Sequence, residues 1–257
     1  MTKVALMQPT FFPWMGYFEL IAKADKFVFL DDFQFVYRSF LRRNRFFVSK
    51  DVVQMVCVPI DRKTSYQIPI NETVIKEQPD WQSQLWNKIR INYGRAKYFS
   101  TYAEEIMSVL LDSYDNLAKQ NITIILCLCK ILDINTTILY SSDIKATGKR
   151  SVRNKNLLNA TGADIYISAH GSFGYMLEDG VFPLDNIEVS FQNAELDPYP
   201  QIGSTKGFVP YLSVIDALFN IGAEKTRELI DHTTKHWLTW DEMLKIHRGG
   251  GVENPPS

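Results

Sequence analysis

The stretch Met7-Gln8-Pro9-Thr10-Phe11-Phe12-Pro13-Trp14-Met15-Gly16-Tyr17-Phe18, followed by Asp25 and the pair Asp31-Asp32, decides how this chain is read. Residues 4–7 form a short apolar run suited to a buried strand, and Pro9 and Pro13 bracket an aromatic loop. A helix is expected to open near Gly16, and a second apolar strand to run over 26–30 and end in two carboxylates. Strand, loop, helix and strand in that order put the loop at the carboxyl ends of parallel strands, where open α/β sheets build their ligand sites. The loop carries too many rings for a simple connector, so a ligand is expected there.

Farther along, a basic segment at 38–45 precedes a strand pair at 52–60 and 67–70. The middle is helical. Asp80 stands where a cap belongs, before a helix whose apolar face uses Leu85, Trp86, Ile89 and Tyr93; further helices are expected at 101–112 and 116–132. Strand (136–140), helix (151–160) and strand (164–168) then make a βαβ unit. A strand at 187–191, a polar loop with Pro198, Pro200 and Gly203, and helices at 211–219, 223–231 and from Asp241 complete the pattern. Strands alternating with helices at both ends predict an α/β fold: a Rossmann-like parallel or mixed sheet with flanking helices and a helical insertion at about 80–133. With no Pro-, Ser- or Gly-rich linker, residues 1–247 read as a single domain and 248–257 as a disordered tail.

The bulk numbers exclude several classes. A net charge of −1 argues against a general nucleic-acid binder, which needs a basic surplus. The aromatic share of 13% is high and sits mostly at strand or helix periodicity, so it reads first as core and second as stacking surface. Cys57, Cys127 and Cys129 lie in apolar runs, in no Cys-x-x-Cys pair and with no His at ligand spacing. They are read as buried thiols of a reducing cytosol, with no disulfide framework and no metal site. No run of about 18 apolar residues and no charged-then-apolar leader is present, so a protein without a transmembrane segment is expected, cytoplasmic or at most peripheral to a membrane.

Four constellations can carry chemistry. Asp31 and Asp32, with Gln34 beside them, can serve as acid and base or orient an amine or ribose, or can simply end a strand. Since side chains alternate along a strand, only one of the two aspartates is expected to face the site. Arg38, Arg42, Arg43 and Arg45, interleaved with Phe40 and Asn44, suit a phosphate or carboxylate, or form a solvated basic face. Thr147, Gly148, Lys149, Arg150, Ser151 and Arg153 open a helix with cations at its positive end, which calls for an anion; capping by Thr147 or Ser151 is the plain alternative. Ser168, His170 and Gly171 lie in a glycine-flanked loop after the second strand of the βαβ unit, where an imidazole suits general-base work.

Taken together, Gln8-Pro9, Phe12-Pro13, Gly16-Tyr17-Phe18, Asp31-Asp32 with Gln34, Arg43-Asn44-Arg45, Val58-Pro59, Tyr98-Phe99, Arg150-Ser151 with Arg153, and Gly162-Ala163-Asp164 with Tyr166-Ile167-Ser168 resemble the WbqC-like family, from about Val4 to Gly222. Members are typically encoded in bacterial O-antigen and polysaccharide gene clusters, so the resemblance implies a role in making or decorating surface sugars. The expectation that follows is a transferase adding an acyl or aminoacyl group to a nucleotide-linked amino sugar. Gln8, Pro13, Trp14, Gly16 and Tyr17 would then hold a base or sugar face, the basic residues would hold phosphates, and Asp31, Asp32 or His170 would take the proton. The opening also looks like the nucleotidyltransferase pattern, but aligned on Gly16 its two histidine positions fall on Trp14 and Tyr17. The donor is open between an acyl-CoA and ATP with Mg²⁺, and a sugar-nucleotide-binding protein without catalysis is the third alternative.

Overall fold

Strand β1 (Lys3–Met7) leads through the aromatic loop into α1 (Met15–Lys23) and back into β2 (Lys26–Phe29), the opening unit expected from the sequence. The structure is a computed structural model and describes residues 1–78 and 80–249. A hairpin of β3 (Arg43–Ser49) and β4 (Val52–Cys57) follows, then the helices α2 (Trp81–Tyr93), α3 (Phe99–Leu111) and α4 (Leu117–Ile131). The chain re-enters the sheet with β5 (Thr137–Tyr140), then runs through α5 (Ser141–Ile144), α6 (Arg150–Thr161), β6 (Ile165–Ser168), α7 (Phe173–Asp179) and β7 (Glu188–Phe191). It closes with α8 (Val214–Asp231), β8 (Leu238–Thr239) and α9 (Trp240–Arg248).

The fold is mixed α/β. Its six-stranded sheet has the order β5-β2-β1-β6-β7-β8, parallel throughout except for β8, which runs antiparallel to β7. Counted within this sheet, the first five strands follow the order 3-2-1-4-5 of doubly wound nucleotide-binding folds. Strand alternation divides the core. Ala5, Phe27 and Phe29 join α1 to α4, α8 and the hairpin on one face, while Val4, Leu6, Val28 and Leu30 join α6, α7 and α9 on the other. The helical segment at about 80–133 thus shares its apolar core with α1, α8 and β3. Chain reversal occurs at β1: α1 leaves it toward one face, and α7 leaves the neighbouring β6 toward the other. A crevice opens between the carboxyl ends of these two strands.

Several expectations need correcting. The basic segment supplies strand β3, whose Arg43 pairs with Cys57, so β4 is partnered by residues 43–49 rather than by 67–70. Alternating polar side chains at Arg43, Asn44 and Arg45 hid the strand. Residues 67–70 contribute one bridge between Gln34 and Pro69 and lead into a 3-10 turn at Ile70–Glu72, since proline cannot donate to a ladder. Asp80 has a φ of 63° and makes no side-chain cap, although Leu85, Trp86, Ile89 and Tyr93 are all buried as expected. The break between the helices expected at 211–219 and 223–231 is Gly222, which kinks α8 with a φ of 83°. Arg248 ends α9 and Gly249 caps it; the rest of the tail, from 250 on, lies outside the described residues. All three cysteines are free thiols. Cys129 is buried and the other two half-buried, and burial pushes Cys127 up to about 11 and Cys129 to about 12. Among the described residues, no helix is long and apolar enough to cross a membrane.

Candidate functional site

The opening loop is buried, so each of its carbonyls needs a donor. Gln8 receives Tyr17 Oη at 3.0 Å, and Pro9 receives Asn121 Nδ2 at 2.9 Å. Asn44 Nδ2 donates to both Phe11 and Phe12, at 3.0 and 2.7 Å, and the Val214 amide donates to Pro13 at 2.8 Å. The clamp holds Phe12 at a φ of 44°, a conformation that costs a bulky residue energy and persists only where its surroundings enforce it. Phe11 and Phe12 point into the core and are fully buried. Trp14 is half-buried and meets the Tyr211 ring edge-on at 5.3 Å. Its indole lies against Gly16 so closely that a Cβ there would come within 2.2 Å of it. The tryptophan therefore covers the first turn of α1, which explains why a glycine follows it at that spacing.

Beneath this loop, at the crevice between β1 and β6, lies a cavity of about 40 Å³. Met7 and Thr10 bound it from the β1 side, Trp14, Tyr17 and Leu20 from α1 and its approach, and Phe40 and Asn44 from the hairpin region. Ala169, His170 and Gly171 close it from the end of β6, and Gln192 from the end of β7. His170 is buried, which pushes its basicity below the usual histidine range, and a hydrogen bond with the Gln192 backbone only partly opposes this. Ser168 is tied up beside it, its hydroxyl 2.5 Å from that of Ser172.

Sequence reasoning missed the support beneath His170. Glu19, fully buried on α1, accepts Gln192 Nε2 at 2.6 Å and both the amide and the hydroxyl of Thr234 at 2.7 Å. Gln192 Nε2 also donates to the Gly16 carbonyl at 2.8 Å. Burial raises the basicity of Glu19 while these donors act against it. The one signal available was a carboxylate inside an otherwise apolar helix, Met15-Gly16-Tyr17-Phe18-Glu19-Leu20-Ile21.

Asp31 and Asp32 lie one strand away, and they face the same way. Strand β2 stops at Phe29, so strict alternation no longer applies to them. Ser141 Oγ lies 2.5 Å from Asp32 and 3.1 Å from Asp31, so its single proton is shared between the two carboxylates, and Ser142 Oγ donates to Asp31 at 2.6 Å. Arg153 reaches across from α6 to pair with Asp32, donates to the Ala146 carbonyl at 3.1 Å and lies over the Phe33 ring. Gln34 is exposed, with its carbonyl 3.5 Å from Gln8 Nε2.

At the start of α6 the anion is the protein's own. Asp179 accepts the Ser151 amide and hydroxyl at 3.2 and 2.7 Å and pairs with Arg150 at 3.1 Å. These partners, with the Ser151 hydroxyl first, hold its carboxyl below the usual range. Lys149 is the N-cap, and neither Thr147 nor Ser151 caps through its side chain; Thr147 and Lys149 are exposed. In the hairpin region, Arg43 donates to the Arg38 carbonyl at 2.9 Å and Arg45 to that of Pro210 at 3.2 Å. Among the described residues none of Arg38, Arg42, Arg43 and Arg45 forms an ion pair, so the strand that carries Asn44 to the cavity is uncompensated positive charge. The structure therefore gathers Trp14, Tyr17, Asn44, His170 and Gly171 around one cavity, with Gly16 under the Trp14 indole. It sets Asp31, Asp32 and Arg153 in a second cluster and Thr147, Lys149, Arg150 and Ser151 in a third. Among the described residues, no group of three or more His, Cys, Asp and Glu side chains converges as a metal ligand set.

The WbqC-like protein family profile matches residues 8–228, from the aromatic loop through the kink of α8. The chain belongs to the WbqC-like family. The span matched takes in all residues of the cavity except Met7. An uncharacterized protein of Mycobacterium tuberculosis is 33% identical to this WbqC-like protein over 226 residues, which is 87% of this chain and 96% of that one. No solved structure matches it.

Proposed function

We propose that this WbqC-like protein is an enzyme of surface-polysaccharide synthesis, of the O-antigen type. In this proposal it moves an acyl or aminoacyl group onto the amine of a nucleotide-linked amino sugar in the cytosol. The observation that carries the proposal is His170, buried beside a cavity at the chain-reversal crevice between β1 and β6. Ligands of open α/β sheets bind at that position.

An amine must be neutral to attack a carbonyl carbon, and a histidine whose burial favours the neutral form is suited to take its proton. From a thioester donor, the nitrogen–carbon bond forms and the carbon–sulfur bond breaks. His170 takes the proton lost by nitrogen and returns it to the departing thiolate, so charge and atoms balance. Asp31 and Asp32 suit this task less well, because Ser141, Ser142 and Arg153 already occupy their oxygens. We assign the diphosphate of the substrate to Arg38, Arg43 and Arg45 of the hairpin region, which form no ion pair among the described residues, with Lys149 as a further cation.

An ATP-using nucleotidyltransferase or ligase is the alternative, favoured by the 3-2-1-4-5 strand order. Trp14 stands against it: its indole covers the first turn of α1, where a triphosphate would need open amide groups. The test is turnover of UDP-, dTDP- and GDP-linked amino sugars with acyl-CoA or with ATP and Mg²⁺, in the parent protein, His170→Ala and Asp32→Asn. The proposal expects acyl transfer that His170→Ala abolishes while substrate binding survives. Pyrophosphate release would favour the alternative, and binding without turnover would favour a carrier or assembly role.

A further inference from the structure

We infer that the cavity under the opening loop is an acyl pocket sized for a formyl or acetyl group, and that it excludes both longer chains and charged aminoacyl groups. The inference rests on the acyl-transfer proposal and names its donor more narrowly. Its first ground is size. A volume of about 40 Å³ compares with the roughly 10–15 Å³ that a single water-sized probe requires, so about three or four non-hydrogen atoms fit, too few for a butyryl group.

The second ground is the wall. Met7, Leu20, Phe40 and Trp14 give it an apolar lining, with the polar atoms of Thr10 and His170 available where a carbonyl would react. The lining includes no carboxylate. Glu19, the buried acid beside Leu20 on α1, is turned toward Gln192 and Thr234 and accepts three hydrogen bonds from them. A glycyl ammonium would lose its water there and gain no counter-charge, whereas an acetyl methyl has nothing to lose.

The third ground is stiffness. The Phe40 carbonyl holds the Phe11 amide at 2.9 Å, Leu20 is buried in the core, and Trp14 is wedged between Gly16 and Tyr211. Close-packed walls of this kind resist added methylenes, so a four-carbon chain is expected to bind about tenfold or more weakly than a two-carbon one.

The experiment is calorimetric titration of the full chain with acetyl-CoA, butyryl-CoA, glycyl-CoA and CoA alone, repeated on Met7→Ala and Leu20→Ala. The expected result is tightest binding of acetyl-CoA, at least about tenfold weaker binding of butyryl-CoA and glycyl-CoA, and loss of the butyryl penalty in either enlarged variant. Met7 is only half-buried, so its variant keeps the test open if Leu20→Ala fails to fold. Equal affinity for acetyl-CoA and butyryl-CoA, or a preference for glycyl-CoA, overturns the pocket inference and leaves acyl transfer standing. Failure of every thioester to bind better than CoA alone, while a nucleotide sugar binds, overturns acyl transfer from a thioester and the pocket with it.

Discussion

Replacing Asp216 with asparagine should stabilise the protein at pH 8 and have little effect near pH 4. Asp216 is fully buried in the first turn of α8. Its Oδ2 accepts Tyr199 Oη and Gln201 Nε2, both at 2.8 Å; among the described residues its Oδ1 and Ser213 Oγ have no hydrogen bond of normal geometry, and the Tyr93 hydroxyl beside the carboxyl favours its ionised form only weakly against burial. Burial pushes its carboxyl up from the ordinary 3.8 to about 6. The folded protein therefore holds this proton more tightly than the unfolded chain does. Stability from the protonated form is fully present below about pH 4 and is lost as pH rises through about 6. The displacement corresponds to ~3 kcal/mol of destabilisation by the ionised form at pH 8. The first turn of a helix returns roughly 0.3–1 kcal/mol of this to an anion, which leaves a net gain of ~2 kcal/mol for Asp216→Asn. An amide keeps an acceptor for Tyr199 and Gln201 and places donors on the orphaned side. Thermal melts of both proteins at pH 4 and pH 8 should show the variant ahead by ~4–8 °C at pH 8 alone. Equal destabilisation at both pH values would refute the account, because it would mean that Asp216 is a satisfied anion. The outcome bears on the site, since Tyr199 and Gln201 belong to the loop that brings Tyr211 against Trp14.

Three further outcomes are expected. Asn44→Ala leaves the Phe11 and Phe12 carbonyls without their donor and should cost roughly 2–4 kcal/mol in urea titration, with the aromatic loop becoming more accessible to protease. Gly16→Ala should drive the Trp14 indole off α1 and change the tryptophan emission of the folded protein, whereas the same change in a Trp14→Phe background should have a smaller effect. Because burial lowers the His170 titration below 6.5, the acid limb of acyl-transfer activity should fall below that value in the parent protein. A limb above 6.5 would assign the titration to another group.

Much of the fold could be read from the sequence because the sheet is buried on both faces and its strands are short apolar runs. The opening unit and the βαβ unit around α6 announce themselves in this way, and Gly222 marks the kink in α8. The hairpin was harder, since Arg43-Asn44-Arg45 alternates polar side chains that a surface loop would also carry. The candidate site was legible in its place in the fold more than in its wiring. Proline-bracketed rings after β1 and a glycine-flanked histidine after β6 pointed to the crevice. The Asp179 carboxylate that answers the α6 terminus comes 28 residues after Ser151, and Thr234 comes 215 residues after Glu19. Pairings at such separations leave no periodicity for a sequence to display.

The central claim is that a nucleotide-linked amino sugar and an acyl donor meet at His170. Its most direct measurement is single-turnover acylation of such a sugar by the parent protein and by His170→Ala, with the binding of both substrates measured in parallel. The account predicts product from the parent, none from His170→Ala, and binding that changes less than about threefold. Undiminished product from His170→Ala, or failure of the folded parent protein to bind any nucleotide sugar, would contradict it.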